Sequence, residues 1–352
     1  MFYYCVFLAV VMLFATIYSK NPKNKVALFA TLAIMILFAG LRSVEVGTDA
    51  AGYAREFENG RRDLEGGLLE KINEEPAFFY LNKYLGMISN QCWCLFTGIA
   101  LLTYSCVLIA VKRQTDKITI PLFVFITLGL YTFVFNAARQ GIAVSVYMLS
   151  FKYLFEKGKK AFLKYCLFVF LAAMFHKTVV IALPLYYLFR MKYSTKMLVL
   201  IAIMGMVMGV LMPKFLAFAG TQEDRYMLYS TVASGGKLLT VFYILITSYF
   251  IFQRNKVNRE YQSKYDVFLN MMCFGTLIYI VVQFSGVYVE MTRFAAYFQV
   301  AAIFLWDYIY ASDCKPKLLY SFAIIIGHLI YYFIFCNRMA SLTPYLFNPN
   351  IF

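Results

Sequence analysis

Charged residues are scarce in this chain. Asp, Glu, Lys and Arg make up 14% of its 352 residues, whereas a soluble domain carries about 25%. Histidine and tryptophan occur twice each, while 62% of the residues are hydrophobic. Apolar runs of about 15–22 residues recur from end to end, which indicates a polytopic helical membrane protein. The composition therefore excludes an ordinary soluble domain.

Several patterns that carry chemistry in other enzymes are missing. The sequence contains no Walker phosphate-binding loop, no G-x-G-x-x-G and no G-x-S-x-G. Its two histidines lie far apart, and no cluster of metal-ligand residues surrounds either of them. Nucleotide-driven chemistry is therefore not expected, and we predict neither a bound metal nor another cofactor.

The apolar runs predict an all-α membrane protein with about twelve transmembrane or re-entrant helices, forming a single transmembrane domain over residues 1–352. The predicted segments are Phe2–Ser19, Val26–Leu41, Cys92–Val111, Ile118–Phe135, Gln140–Phe155, Phe162–Phe175, Thr178–Phe189, Met197–Phe218, Leu238–Gln253, Tyr265–Val289, Phe294–Ile309 and Leu318–Phe335. The shortest, Thr178–Phe189, can also pair with Phe162–Phe175 as a re-entrant hairpin, which would move His176 away from the outer side.

Basic residues are distributed unequally between the connections. With the N-terminus outside, the cytoplasmic connections hold about 20 of the 33 basic residues and about 6 of the 18 acidic ones. This bias predicts which side is cytoplasmic, and it explains most of the net charge of +15 without a nucleic-acid partner. Residues 42–91 then lie outside.

The 42–91 stretch is the longest polar interruption, and it is predicted to be an extracytoplasmic helical segment between the second and third membrane helices. Gly47-Thr48-Asp49 is typical of a turn, with Asp49 capping an amphipathic surface helix over Ala50–Asn59. Glu75-Pro76 is typical of the start of a second helix. The segment is either a simple cap or a lid whose Asp49 and Glu75 carboxylates face a site.

Charged residues at four further places are predicted to lie at outer helix ends. They are Arg42, Arg139, His176 with its neighbour Lys177, and the pair formed by Glu290 and Arg293. Charge at the membrane edge usually faces a cavity. Structural alternatives stay open, because an arginine can reach lipid head groups, a histidine can be a satisfied helix-end residue, and charges three residues apart can pair on one helix.

Three outward arginines suit a diphosphate, because arginine stays charged and binds phosphate bidentately. Diphosphates on the outer side of a membrane are attached to lipid carriers. Arg42, Arg139 and Arg293 are therefore candidates for diphosphate binding.

Ordered short motifs over residues 40–190 resemble the EpsG family of Wzy-like polysaccharide polymerases. They are Arg42-x4-Gly47-Thr48-Asp49-x3-Tyr53-x3-Phe57, Glu75-Pro76-x-Phe78, Arg139-Gln140-x-Ile142-Ala143 and Phe175-His176-x-Thr178, followed by Arg293-x3-Tyr297. Lys177 departs from the pattern, since small polar residues are common at that position in the family.

The resemblance implies a bacterial enzyme of O-antigen, capsule or exopolysaccharide assembly. It implies a GT-C-like membrane glycosyltransferase in the cytoplasmic membrane, with its active site on the extracytoplasmic side. Donor and acceptor would both be undecaprenyl-diphosphate-linked oligosaccharides. The resemblance therefore implies these oligosaccharides and membrane lipid as partners, and it allows a chain-length regulator protein as a further partner.

In such a reaction an acceptor hydroxyl attacks the anomeric carbon of the donor, and the lipid diphosphate leaves. The leaving group needs cationic stabilisation, and a base must take the hydroxyl proton. His176, Asp49 and Glu75 are the candidates for the base. Candidates for substrate binding are Tyr53, Gln140, Glu290 and Tyr297.

Two other functions fit the composition. A lipid-linked oligosaccharide flippase would also have about twelve helices and a cationic cavity, although its charges would lie at mid-membrane and on both faces. A membrane O-acyltransferase would need a histidine deep in a cavity, for which His328 is the candidate; with no charged neighbour in its apolar run, His328 is otherwise a structural residue.

Overall fold

The computed structural model describes residues 1–60, 75–220, 236–285, 287–312, 318–338, 342–349 and 351. Every regular element of these residues is helical. The α-helices are α1 Phe2–Lys20, α2 Lys25–Gly40, α3 Ala50–Glu58, α4 Pro76–Gly86, α5 Cys92–Lys112, α6 Thr119–Thr127, α7 Phe133–Asn136, α8 Ala138–Met148, α9 Lys159–Ala173, α10 Ala182–Phe189, α11 Thr195–Gly220, α12 Lys237–Gln253, α13 Arg259–Ser285, α14 Ala296–Gln299, α15 Ala301–Ala311 and α16 Leu318–Arg338. Short 3-10 helices occupy Leu149–Leu154, Lys177–Ile181, Arg254–Lys256 and Val289–Ala295.

The chain forms two compact units. Unit 1 contains Met1–Leu183 and Pro316–Phe352, and unit 2 contains Pro184–Lys315. Most of the candidate site residues belong to unit 1, and Glu290, Arg293 and Tyr297 belong to unit 2.

The all-helical prediction is confirmed for the described residues, since each of the twelve predicted segments contains helix. Among these residues, five helices are long and apolar enough to cross a membrane: Phe2–Lys20, Cys92–Lys112, Arg259–Ser285, Glu290–Ala311 and Leu318–Arg338. α-Helices are stable in the membrane interior because their backbone hydrogen bonds are formed within the helix, where lipid offers no hydrogen-bond partner. The chain is thus a multi-pass membrane protein, and the number of about twelve crossings stays a prediction.

One predicted segment, Ile118–Phe135, is broken in the structure. Helix α6 ends at Thr127, and Gly129 follows with a φ of 75°, a left-handed conformation that ends a helix at little energetic cost only for glycine. A Cβ at Gly129 would lie 2.5 Å from the ring of Phe335, so helix α16 approaches the backbone there. The break leaves the short helix α7 to carry the chain to Asn136.

The helices of the 42–91 segment form as the sequence predicts. Helix α3 buries Ala50, Ala54 and Phe57 and leaves Arg55 and Glu58 exposed, which is the predicted amphipathic pattern. Helix α4 begins at Pro76, at the predicted start. Residues 61–74 of this segment lie outside the described residues.

The C-terminal stretch packs back onto the end of helix α2. The backbone N–H of Ser43 donates to the carbonyl of Leu346 at 2.8 Å, and that of Asn348 donates to Leu41 at 2.9 Å. The hydroxyl of Tyr345 donates to the carbonyl of Phe38, and its ring stacks on the Phe38 ring at 4.2 Å between centroids. Arg42 is therefore fixed by two chain segments that are distant in sequence.

Candidate functional site

The Gly47-Thr48 turn docks on the chain just before Arg139. The backbone N–H of Thr48 donates to the Asn136 side-chain oxygen at 2.7 Å. Gly47 has a φ of 115°, and a Cβ there would lie 2.7 Å from the carbonyl oxygen of Phe135. Only glycine fits this close approach without strain, so the first motif packs against the residues that lead into the Arg139 motif.

Glu75 holds an unusual backbone position at the start of helix α4. Its φ and ψ are 60° and 61°, the left-handed region that a residue with a Cβ rarely adopts. The backbone N–H of Ala77 donates to the carbonyl of Met174 at 2.9 Å, which ties the start of this helix to the end of helix α9. Such strain persists where surrounding contacts impose it, and it is common at functional sites.

The carboxylate of Glu75 is buried against His176. The Nδ1 atom of His176 lies 2.5 Å from Oε1 of Glu75, and the backbone N–H of Lys177 donates to the same oxygen at 3.4 Å. An ionised carboxylate only accepts hydrogen bonds, so we assign the proton to Nδ1. In the neutral ring, Nε2 is then the nitrogen with a free lone pair.

Arg139 binds the other oxygen of the same carboxylate. Its Nη1 lies 3.3 Å from Oε2 of Glu75, while its Nη2 lies 3.1 Å from Oε2 of Glu56 on helix α3. The guanidinium also lies over the Phe78 ring, 5.0 Å from the centroid. Glu75 therefore joins a proton acceptor and a cation through one side chain.

The charges around Glu75 keep it ionised. Burial raises its pKa, but the hydrogen bond from His176, the charge of His176 when its ring is protonated, and the charge of Arg139 outweigh burial, so the pKa of Glu75 lies below its ordinary value. At neutral pH the group is an anion that orients its neighbours. This favours a positioning role for Glu75 over its predicted role as the base.

Two predicted substrate-binding residues lie near Arg139. The Tyr53 ring on helix α3 packs edge-on against the Phe78 ring, at 5.9 Å between centroids. Gln140 follows Arg139 on helix α8 and is buried. Tyr53 thus contacts the same ring that supports the guanidinium, whereas Gln140 belongs to the packed interior of unit 1.

Arg42 lies between two aromatic rings. Its guanidinium carbon is 3.9 Å from the Phe96 centroid and 4.2 Å from that of Phe135, and Nη1 donates to the carbonyl of Ala39. The residue is 2% exposed. Burial lowers its pKa to about 10, so it stays charged at neutral pH. These contacts favour a structural role for Arg42 over the predicted diphosphate binding.

We expect Arg42→Lys to lower the thermal unfolding midpoint of the purified protein by several degrees. An ammonium cannot stack flat between two rings, and cation–π contacts contribute about 0.5–2 kcal/mol each. Affinity for a short prenyl diphosphate should stay as in the wild type. Loss of that affinity at an unchanged midpoint would instead support direct diphosphate binding by Arg42.

Asp49 occupies the N-cap position of helix α3 but does not cap it with its side chain. Its backbone carbonyl accepts the N–H of Tyr53 at 3.1 Å, and its carboxylate accepts the Thr48 hydroxyl at 3.0 Å. The predicted side-chain cap is therefore wrong, because the neighbouring hydroxyl is the donor instead. Asp49 stays a candidate for the base by prediction only.

In unit 2, Glu290 and Arg293 form the ion pair that their spacing predicts. Nη2 of Arg293 lies 3.3 Å from Oε1 of Glu290, in the 3-10 helix Val289–Ala295, and both side chains are about one-third exposed. Tyr297 follows on helix α14 and is fully buried. The ion pair must open before either side chain can bind another charged ligand. Tyr297 is a core residue of unit 2.

The second histidine, His328, is buried in helix α16. Its Nδ1 lies 2.9 Å from the hydroxyl oxygen of Thr127, and its ring lies 5.6 Å from that of Phe123. A histidine paired with a hydroxyl on an apolar face is a satisfied core residue. This placement favours the structural interpretation and gives the acyltransferase alternative little support.

Sequence reasoning missed Glu56. Its position off the apolar face of helix α3 indicated a solvated residue, yet it reaches Arg139, 83 positions along the chain. The only sequence signal was its place three residues after Tyr53, inside the first motif. Among the residues that the structure describes, no group of three or more His, Cys, Asp and Glu side chains could hold a metal ion.

The model of the EpsG family matches residues 25–347, which is most of the chain and includes every candidate site residue. Neither the curated proteins nor the solved structures gave a significant match. The matched range includes Glu75, Arg139 and His176. The chain belongs to the EpsG family.

Proposed function

We propose that this protein is a polysaccharide polymerase that joins undecaprenyl-diphosphate-linked repeat units on the outer face of the bacterial cytoplasmic membrane. Membership of the EpsG family supports a membrane protein of polysaccharide biosynthesis with glycosyltransferase-like polymerase activity. The helical, apolar composition supports a membrane site for a lipid-linked substrate.

One observation carries the proposal: His176 and Arg139 bind opposite oxygens of the buried Glu75 carboxylate. Glycosyl transfer from a lipid diphosphate needs a proton acceptor for the attacking hydroxyl and a cation for the departing diphosphate. A single fixed carboxylate that orients both groups is suited to that pair of tasks.

In the proposed reaction, Nε2 of His176 takes the proton from a hydroxyl of the acceptor sugar. The hydroxyl oxygen forms a bond to the anomeric carbon of the donor, and the bond from that carbon to the diphosphate oxygen breaks. The electron pair stays on the diphosphate, whose growing charge Arg139 stabilises. Glu75 stabilises the protonated imidazole, as buried carboxylates do beside catalytic histidines.

In this proposal the other candidate residues bind or position the substrates. Tyr53, through its packing on Phe78, would offer an aromatic surface to a sugar. Gln140 would act through packing beside Arg139. Glu290 and Arg293 would serve a second charged group of the substrates, with Arg293 as the cation, and Tyr297 would act only through its packing in unit 2. Asp49 is the alternative base.

The outer location of the site gives a topology prediction. Asn59, which directly follows helix α3, and Asn255, in the 3-10 helix Arg254–Lys256, are both exposed, so each can be replaced by an additional cysteine. In intact cells, a membrane-impermeant thiol reagent is expected to label Asn59→Cys but not Asn255→Cys. The parent chain with its native cysteines gives the background, and permeabilised cells should label both. The reverse pattern in intact cells would contradict the proposed orientation.

The function itself is tested with purified protein in proteoliposomes and the native lipid-linked repeat unit. A ladder of glycans that differ by one repeat is expected only when protein is present. Movement of unmodified lipid-linked units to the opposite leaflet without a ladder would instead support the flippase. Incorporation of an acyl group would support the acyltransferase, and either outcome would overturn the polymerase proposal.

A further inference from the structure

Glu56 pairs with Nη2 of Arg139, and both side chains are partly exposed. Both carboxylate oxygens of Glu56 lie within reach of Nη2 of Arg139, at 3.4 and 3.1 Å, and Nη1 is taken by Glu75. The Nε atom of Arg139 is buried and has no hydrogen-bond partner among the described residues. A phosphate that binds bidentately needs two adjacent N–H groups, so it competes with these carboxylates for Nη2.

The two carboxylates are not equivalent. The Glu75 side chain is 8% exposed, is fixed at a left-handed backbone position and also binds His176. The Glu56 side chain is 34% exposed and reaches Arg139 from helix α3. An exposed ion pair contributes little free energy, whereas breaking a buried one is costly. Glu56 is therefore the group that an incoming anion can displace.

We propose that Glu56 is the displaceable counter-ion of Arg139: the lipid diphosphate takes its place when it binds, and Glu56 returns to Arg139 when the lipid diphosphate product leaves. This rests on the proposed function, which assigns a diphosphate to Arg139. Glu56 is thus a positioning residue that keeps the empty guanidinium aligned and weakens product binding. It does not touch the reacting atoms.

The direction in which Glu56→Gln changes the affinity for a diphosphate distinguishes this role from a purely structural one. If Glu56 competes with the diphosphate, Glu56→Gln tightens diphosphate binding, because the amide does not hold the guanidinium as a carboxylate does. If Glu56 only props Arg139 into position, the same variant loosens binding. We expect the dissociation constant for farnesyl diphosphate to fall about two- to fivefold, the range of a half-exposed ion pair.

The experiment titrates farnesyl diphosphate into the purified full-length wild type, Glu56→Gln and Glu58→Gln, each in the same detergent. Glu58 is an exposed residue of the same helix and makes the matched charge change, so its variant should bind like the wild type. Thermal unfolding confirms that all three are folded. Equal or weaker binding by Glu56→Gln would overturn the proposal, as would a wild type that does not bind the probe.

A double-mutant cycle tests whether Glu56 acts through Arg139. In an Arg139→Gln background, Glu56→Gln should no longer tighten binding, since the competition has been removed. Tightening that persists there would overturn the proposal. The titration needs no polymer: a wild type that binds the probe but makes no glycan ladder would refute the proposed function, and the comparison of variants would still decide the role of Glu56.

Discussion

Replacing His176 by alanine is expected to reduce polymer formation by about 10²–10⁴-fold, the usual effect of removing a general base. The protein should remain folded and should still bind lipid-linked substrate, because the His176 side chain is about one-quarter exposed and Glu75 keeps its contacts with Arg139 and the Lys177 N–H. The measurement is the rate of ladder growth in proteoliposomes, alongside substrate binding and thermal unfolding of the same preparation.

The geometry explains why the effect should be on rate. Glu75 holds Nδ1 at 2.5 Å, which directs Nε2 as the proton acceptor. If the hydrogen bond to Glu75 were merely structural, its loss would lower stability by about 1–3 kcal/mol and leave the rate per folded molecule unchanged.

His328→Ala is the matched control, since it removes the only other histidine. Because His328 is buried against Thr127 in helix α16, this variant should lose stability and keep its rate per folded molecule. If His176→Ala polymerises normally and Asp49→Asn does not, the base is Asp49. If both polymerise normally, neither is the base, and the cations alone act on the leaving group.

The sequence alone predicted the elements of this fold well. In a membrane, the backbone of a long apolar run can form hydrogen bonds only with itself, so the composition directly predicts helices. Pro76 and the Gly47-Thr48-Asp49 turn likewise located the helices of the 42–91 segment. The break after Thr127 was missed because a single Gly129 in an apolar run is a weak signal until Phe335 is seen packed against it.

The sequence identified the candidate site residues, but it did not show which of them have a functional role and which a structural one. Arg42 and Arg139 look alike in sequence, yet Arg42 is enclosed by Phe96 and Phe135, whereas Arg139 is partly exposed and faces two carboxylates. That difference comes from tertiary packing between segments far apart in the chain, and no local pattern encodes it. The same holds for Glu75, whose two side-chain partners lie 64 and 101 positions away.

The backbone of Glu75 adds a physical reason for its role. A left-handed residue with a side chain costs on the order of 1–3 kcal/mol. The contacts of its carboxylate with His176, Arg139 and the Lys177 N–H offset that strain. A glycine at this position would relieve the strain but would leave His176 and Arg139 without their common partner. The strained backbone is therefore kept because it places the Glu75 carboxylate between these two residues.

Arg139→Lys is expected to reduce polymerisation by about 10²–10³-fold although the positive charge is kept. The planar guanidinium reaches Glu75 and Glu56 with separate nitrogens and lies over Phe78. A lysine ammonium is a single point charge and cannot make a bidentate contact with a diphosphate. The maximal rate should fall with the catalytic efficiency, since the missing contact strengthens as the leaving group gains charge.

Arg55→Lys supplies the control for the same chemical change, because Arg55 is an exposed residue of helix α3. Its rate and polymer length should match the wild type. Arg139→Lys should fold, as the thermal midpoint will report, because the lysine keeps a positive charge beside the Glu75 and Glu56 carboxylates. Near-normal polymer length and yield from a folded Arg139→Lys protein would mean that Arg139 only braces Glu75. The cation for the departing diphosphate would then have to be another residue.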